Sequence, residues 1–178
     1  MVLFCGPAVA QQRTVGDMFR DVAPISFVKA FVGHCVHNAG RLDKVGAAAQ
    51  ALEYADTPEP FWTMLAPQEA GAPYHSWFAI EGEGSPFLLG ISEAPLNGKT
   101  FQMCAVSNPF MDADIALEAL QTIVSLGTTL TDETIAGQRY RAWLVPDIVQ
   151  DAFIAASDIQ NMGSTGVTLS IAAPKLYE

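Results

Sequence analysis

The sequence predicts an α+β fold: an N-terminal helical hairpin, an antiparallel sheet of about six strands, and one further helix between two three-strand groups. Three observations predict it, namely helical spacing of apolar residues near the N-terminus, short strand-like runs separated by turn residues, and a well-capped helical segment between them. The chain has 178 residues, of which 50% are hydrophobic and 16% are charged. Such a composition excludes disorder and is sufficient for one packed core.

The helical hairpin rests on two consecutive segments. Apolar side chains recur at helical spacing across Pro24–Val36, and Gly40 follows as a residue suited to the left-handed position after a helix. Arg41–Tyr54 contains three consecutive alanines, the residue with the highest helix propensity, and places four apolar residues on one face: Leu42, Val45, Ala49 and Leu52. We expect these segments to form the two arms of the hairpin.

Strand-like runs follow in the middle of the chain, after a proline-containing stretch that is not one regular element. Asn97-Gly98 is the strongest short hairpin signal and predicts antiparallel pairing of the runs on either side of it. The three predicted strands are Tyr74–Glu81, Phe87–Glu93 and Thr100–Ser107.

The third helix is predicted to begin at Asn108-Pro109. Asn is a good N-cap, and Pro is tolerated at the first helical position because its missing N–H would have no helical partner there. Asp112 and Asp114 then lie in the early turns, where carboxylates favour the helix dipole, so we interpret them as helix electrostatics rather than a catalytic pair. Gly127 ends the segment. The predicted apolar stripe consists of Ile115, Ala119, Leu120, Ile123 and Val124.

Three further strands complete the predicted fold. The polar, threonine-rich stretch from Thr128 to Gly137 is either a weak edge strand or a loop. The order is therefore a helix plus three strands, twice, with the helices on one face of the sheet. The last three predicted strands are Gln138–Val145, Ala152–Asp158 and Gly166–Ala173.

The N-terminal residues have the pattern of a signal-peptide cleavage site, which predicts export. Ala8-Val9-Ala10 follows an apolar stretch, and small residues at these positions are what a signal peptidase recognises. Residues 1–10 are thus predicted to be a remnant or truncated signal peptide, shorter than usual and without the positively charged start. The alternative is a buried apolar strand or a frayed end. The hypothesis makes residues 11–178 a single α+β domain that is periplasmic or secreted. No apolar run approaches the roughly 20 residues that span a bilayer, so we expect no membrane insertion.

Export would determine how many cysteines the mature chain has and whether they can be oxidised. The chain contains three, and removal of residues 1–10 leaves Cys35 and Cys104. In an oxidising compartment these two are predicted to form a disulfide that closes a loop of about 70 residues, for which chain entropy gives roughly 4 kcal/mol. The alternative is two unpaired cysteines buried as small hydrophobic residues.

The charge balance narrows the class of partner. The formal net charge is −10, with 9 Lys and Arg residues in total. An acidic chain is a poor ligand for phosphate backbones and anionic membranes, so nucleic acid is excluded as the expected partner. An envelope protein or a small-molecule ligand remains as the expected partner.

Two side-chain groups are candidates for chemistry. His34 and His37 are three residues apart and would share a helix face, where both could reach a metal such as Zn or Cu. Such a site needs a further ligand, and His75 is the remaining histidine. If Cys35 forms a disulfide, its thiolate is not available. The alternative is a polar helix end near Gly40, where the dipole favours histidine.

The second group is a strand-borne stripe. Arg139, Arg141 and Trp143 alternate along one predicted strand and therefore project from the same side of the sheet. Two guanidinium groups beside an indole ring could bind a carboxylate or phosphate group of a ligand or partner. The alternative is a solvated outer face on which arginine stems cover the indole.

Three stretches carry a resemblance. Phe31–Gly40, Asn108–Phe110 and Gly137–Trp143 are similar to segments of an uncharacterised family of small exported proteobacterial proteins. The resemblance implies a bacterial, exported protein with paired cysteines. That family has no known activity, so the resemblance transfers no functional residues.

The sequence as a whole favours an exported, non-catalytic domain that binds an envelope protein or a small ligand. A metal-handling protein using His34 and His37 is one alternative, and a hydrolase with an unrecognised site is another. No phosphate-binding loop, nucleophile elbow or zinc-protease motif is present, and the sequence indicates no cofactor and no particular oligomeric state.

Overall fold

Eight strands form one antiparallel sheet in the computed structural model, which describes residues 14–65, 71–81, 85–96, 98–159 and 166–176. The predicted signal segment, residues 1–10, lies outside the described residues. The strand order across the sheet is β1-β2-β3-β4-β8-β7-β6-β5. The strands are β1 Ala55–Asp56, β2 Tyr74–Glu81, β3 Ser85–Leu96, β4 Lys99–Asn108, β5 Thr129–Ile135, β6 Gln138–Leu144, β7 Phe153–Ile159 and β8 Val167–Pro174.

Five α-helices lie within the described ranges, and one of them continues into a π-helical segment. A 3-10 turn, Glu59–Phe61, leads directly into the fourth helix. No described helix is long and apolar enough to cross a bilayer. The helices are α1 Val15–Arg20, α2 Pro24–Phe31 with its π-helical continuation Val32–Val36, α3 Leu42–Ala51, α4 Trp62–Leu65 and α5 Ala113–Gln121.

The α+β class is confirmed, but the predicted sheet of about six strands in two groups of three is wrong. β1 has only two residues, too few for a sequence pattern. β5 has six of its seven residues exposed, so it lacks the alternation that marks a half-buried strand and is held by backbone pairing with β6. Each of α3 and α5 is therefore followed by four strands in sequence, and the two halves meet where β4 pairs antiparallel with β8.

Helices pack on both faces of the sheet, whereas the sequence predicted one. Leu89 and Val106 belong to the large core that includes residues of α2, α3 and α5. Leu88 and Ala105, one position away and thus on the opposite face, pack with Phe19 of α1 and with residues of α4. We call the face that carries Leu89 the α3 face.

Both arms of the predicted N-terminal hairpin are present, and an unpredicted helix, α1, precedes them. The first arm is α2, whose last turn changes to π-helical geometry, and the second arm is α3. Gly40 has a φ of 75°, which confirms it as the left-handed residue between the two arms. Leu52, predicted to lie on the apolar face of the second arm, is 55% exposed because α3 ends at Ala51.

The third predicted helix starts four residues later than expected. Asp112 is the N-cap of α5, since its Oδ1 accepts hydrogen bonds from the N–H groups of Asp114 at 2.9 Å and Ile115 at 3.1 Å. Asn108 ends β4 instead. Its Oδ1 accepts a hydrogen bond from the N–H of Phe110 at 2.8 Å. This local hydrogen bond belongs to a turn, and a turn of this kind has the same sequence pattern as a helix N-cap.

The predicted stripe of α5 is shifted as a consequence. Ile115 and Ile123 are exposed, at 50% and 44%. The buried residues of the helix are Ala113, Ala116, Leu117 and Leu120.

The predicted disulfide is confirmed. Cys35, in the π-helical segment, is bonded to Cys104 of β4, with a Cα–Cα distance of 5.2 Å. Both residues are fully buried on the α3 face. The bond therefore fastens the helical layer to the middle of the sheet, next to the start of α3.

Candidate functional site

An open cleft of about 680 Å³ lies between the start of α3 and the sheet. We call it the α3 cleft. Its volume falls within the range of small-molecule sites in proteins. The residues that line it are Arg41, Leu42, Asp43 and Gly46 at α3; Pro73, Tyr74, His75, Ile91, Ser92, Glu93 and Gln102 on and beside β2–β4; and Lys175 and Leu176 after β8.

Gln102 holds the polar floor of the cleft together. Its Oε1 accepts a hydrogen bond from the backbone N–H of Leu42 at 3.1 Å, so it supplies the cap that Arg41, at the N-cap position, does not provide. Its Nε2 donates to Oε1 of Glu93 at 2.6 Å. Because Gln102 is only 5% exposed and both ends of its amide are bonded, the orientation of the amide is fixed.

Glu93 is an ionised acceptor at this floor. Its Oε1 also accepts a hydrogen bond from Nζ of Lys175 at 3.1 Å. The hydrogen bond from Gln102 is the main cause that lowers the pKa of Glu93; partial burial opposes it and Lys175 reinforces it. The carboxylate therefore remains charged at neutral pH and is held in place from two sides.

The segment after β8 forms one side of the cleft. The N–H of Lys175 donates to the carbonyl of Thr100 at 2.9 Å, and the N–H of Leu176 donates to the carbonyl of Gly40 at 3.0 Å. A Cβ at Gly40 would lie 2.6 Å from the carbonyl oxygen of Pro174, so a glycine is required for this close approach as well as for its positive φ.

On the β2 side, Tyr74 and His75 line the cleft. His75 and Trp77 lie two positions apart on the same face, and their ring centroids are 4.3 Å apart. Nε2 of His75 lies 3.6 Å from Oδ1 of Asp56, an exposed residue of β1. The polar partner of His75 in the described chain is thus the carboxylate of Asp56.

The predicted arginine stripe lies in the other half of the molecule, on β6. Nε and Nη2 of Arg139 donate to the two carboxylate oxygens of Asp132 on the edge strand β5, each at 2.9 Å. This bidentate pair lowers the pKa of Asp132 and raises that of Arg139. Trp143 is partly buried against the main core. The stripe therefore faces the helices, and it is not part of the α3 cleft.

Arg141 is a buried member of the same stripe. It is 6% exposed, and its Nη1 donates to Oδ1 of Asp114 in α5 at 2.5 Å. Nε and Nη2 of Arg141 are buried without a hydrogen-bond partner in the described part of the chain. Both arginines are thus engaged in internal ion pairs. The expectation that this stripe binds a ligand or partner stays a prediction, and this pairing counts against it.

The structure does not place the two candidate metal-binding histidines on one face. His34 is buried, its Nε2 lies 3.1 Å from the hydroxyl of Tyr54, and its ring packs on Phe87. His37 is exposed. The segment is π-helical, with the N–H of His37 donating to the carbonyl of Val32, so the α-helical spacing behind the prediction does not apply. Across the described residues, no group of three or more His, Cys, Asp or Glu side chains is arranged to hold a metal.

Sequence reasoning missed the residues of the α3 cleft, although one signal for them was present. The Asn97-Gly98 signal in the sequence predicts a two-residue turn, which would place Glu93 opposite Gln102. The register of β3 and β4 has this pairing. A carboxylate facing an amide on the buried side of a hairpin is unusual enough to mark a site. Lys175 and Arg41 carried no such signal because they come from distant segments.

Comparison with known proteins gives no match: no family model, no curated protein and no solved structure is significantly similar to this chain.

Proposed function

We propose that the protein is an exported binding domain whose small-molecule ligand occupies the α3 cleft. The observation that carries the proposal is the cleft of about 680 Å³ with a fixed polar floor. Small-molecule sites combine apolar walls with a few well-placed polar groups. Here Leu42 and Ile91 contribute apolar wall, while the bonded chain of Gln102, Glu93 and Lys175 supplies the polar groups.

Gly46 supports this proposal independently. It lies inside α3, where glycine is less stable than alanine by about 0.5–1 kcal/mol. A Cβ placed on Gly46 would meet no atom within 4 Å, so packing does not require the glycine. Because Gly46 lines the α3 cleft, a function for the missing side chain is to leave room for a ligand.

A cleft-filling variant tests the proposal. In Gly46→Phe the new side chain occupies the cleft, whereas in Ala47→Phe it stands on an exposed position of the same helix. A thermal-shift screen of small polar metabolites is run on the wild type and both variants. We expect compounds that raise the melting temperature of the wild type and Ala47→Phe to have no effect on Gly46→Phe. Equal responses of both variants, or no responding compound, would contradict the proposal.

Export is the second part of the proposal. A disulfide between Cys35 and Cys104 persists in oxidising compartments, and the Ala8-Val9-Ala10 motif predicts a cleaved leader. Expression in a bacterial host followed by mass spectrometry of the periplasmic fraction tests this part. We expect a mature chain that begins at Gln11 and is lighter by two hydrogens. A chain that retains Met1 and reduced cysteines in the cytosolic fraction would contradict export.

The other two predicted functions gain no support. The metal hypothesis would need His34 and His37 together, and the hydrolase hypothesis would need a nucleophile beside a histidine such as His75. The α3 cleft favours the small-ligand hypothesis, so it is the one we carry forward.

A further inference from the structure

The polar groups of the α3 cleft have hydrogen-bonding capacity that the protein does not use. Both hydrogen bonds to Glu93 end on Oε1, and in the described chain its Oε2 has no partner. Nζ of Lys175 has three donors and gives one of them to Glu93. Arg41 carries a guanidinium group for which the described residues provide no carboxylate partner. The cleft thus offers one free carboxylate oxygen and several free cationic donors.

The charges of the cleft are balanced. Arg41 and Lys175 are cations, and Asp43 and Glu93 are anions, so these side chains sum to zero at neutral pH. A purely anionic ligand would approach the free oxygen of Glu93 in a protein whose net charge is −10. A purely cationic ligand would approach Arg41 and Lys175. A ligand that carries both signs meets a complementary group at each end.

We propose that the α3 cleft binds a small organic zwitterion, in which an ammonium group and a carboxylate are attached to an apolar body. The ammonium donates to Oε2 of Glu93, and the carboxylate accepts from Lys175 and Arg41. The apolar body lies against Leu42 and Ile91. This inference rests on the proposed function, because it names the ligand class of the same cleft.

Gln102 is the positioning residue of this site. It touches Glu93 rather than the ligand, and its other end is anchored to the first N–H of α3. Because this amide fixes Oε1, the orientation of Oε2 is set before the ligand arrives, which reduces the entropy lost on binding.

Three probes of the same shape test the inference by isothermal titration calorimetry at pH 7. L-phenylalanine carries both charges, phenethylamine only the cation, and 3-phenylpropanoate only the anion. We expect L-phenylalanine to bind at least tenfold more tightly than either analogue, the effect of losing one charged hydrogen bond. Comparable affinity of either single-charge probe would overturn the zwitterion inference.

Variants of Glu93 and Lys175 test which residue binds the ammonium group of the probe and which binds its carboxylate. Glu93→Gln is expected to weaken L-phenylalanine binding about tenfold and not to weaken binding of 3-phenylpropanoate, from which it removes a repelling charge. Lys175→Met is expected to weaken the probes that carry a carboxylate and to spare phenethylamine. Lys99→Met is the matched control, because Lys99 is an exposed lysine paired with Asp151. Unchanged binding of L-phenylalanine to Glu93→Gln would overturn the assignment.

The two proposals can fail separately. If none of the three probes binds, while compounds from the metabolite screen still bind the wild type and fail to bind Gly46→Phe, the zwitterion inference is wrong and the cleft remains the binding site. If the screen itself shows no dependence on Gly46→Phe, the cleft is not the binding site.

Discussion

Reduction of the disulfide is expected to destabilise the fold by an amount that follows from its position. Cys35 and Cys104 are separated by 69 residues, and closing a loop of that length lowers the entropy of the unfolded chain by the equivalent of about 4 kcal/mol. For a domain of this size, each kcal/mol shifts the melting temperature by about 2–4 °C. The reduced protein should therefore melt about 8–16 °C lower.

The assays are thermal and urea unfolding followed by circular dichroism, in samples equilibrated with and without reductant. The double variant Cys35→Ala, Cys104→Ala is the control, and its unfolding curve should not respond to reductant. Because the disulfide fastens the helical layer beside the start of α3, the reduced protein should also bind cleft ligands more weakly. Coincident curves for oxidised and reduced wild type would refute the reasoning.

Three further predictions concern single residues. Gly46→Ala should raise the free energy of unfolding by about 0.5–1 kcal/mol in urea, since the added Cβ meets open space; a decrease would show that the position is not free. Asp112→Ala should lower the free energy of unfolding in urea by about 1 kcal/mol through loss of the α5 cap. Asp112→Asn should keep most of that stability, because asparagine is also a good N-cap. The pKa of Glu93 is lowered from its ordinary value of 4.5, so its stabilising effect is present above that pH and is lost as the pH falls through the lowered pKa. Below pH 4.5 the wild type should lose stability more steeply than Glu93→Gln, and parallel urea midpoints for the two proteins would contradict this.

Much of the sheet could be predicted because its strands alternate or carry strong turn signals. Tyr74–Glu81 was predicted with the bounds that β2 has, and β3 pairs antiparallel with β4 as the Asn97-Gly98 signal predicted. Both predictions rest on local sequence, namely side-chain alternation and a turn dipeptide. The disulfide could be predicted because the predicted removal of residues 1–10 would leave two cysteines, Cys35 and Cys104.

The errors arose where local sequence has two physical interpretations. Asn108-Pro109 satisfies the rules for a helix start, yet the side chain of Asn108 forms hydrogen bonds with the backbone of Phe110 and Phe19. The helix is capped by Asp112 instead. His34 and His37 have the spacing of an α-helical pair, but the segment is wound as a π-helix. In each case a tertiary contact or an unusual winding decided between the alternatives.

Most of the candidate site could not be predicted from sequence for a different reason. The α3 cleft combines residues from five segments, from Arg41 to Leu176, that meet only after the sheet has formed. The arginine stripe was predicted as a site because its members lie close in sequence. In the structure its two arginines form internal ion pairs, with Asp132 and Asp114. Spacing along a strand predicts which side chains share a face, but it does not predict which face the helices cover.

The most direct test of the central claim is a nuclear magnetic resonance titration of the isotope-labelled protein with L-phenylalanine. We predict saturable shifts of the side-chain amide of Gln102 and the backbone amides of Leu42 and Gly46, which line the cleft. The backbone amide resonances of Arg139 and Arg141 should not shift. Shifts confined to the arginine stripe, or spread evenly over the protein, would contradict the assignment of the α3 cleft as the binding site.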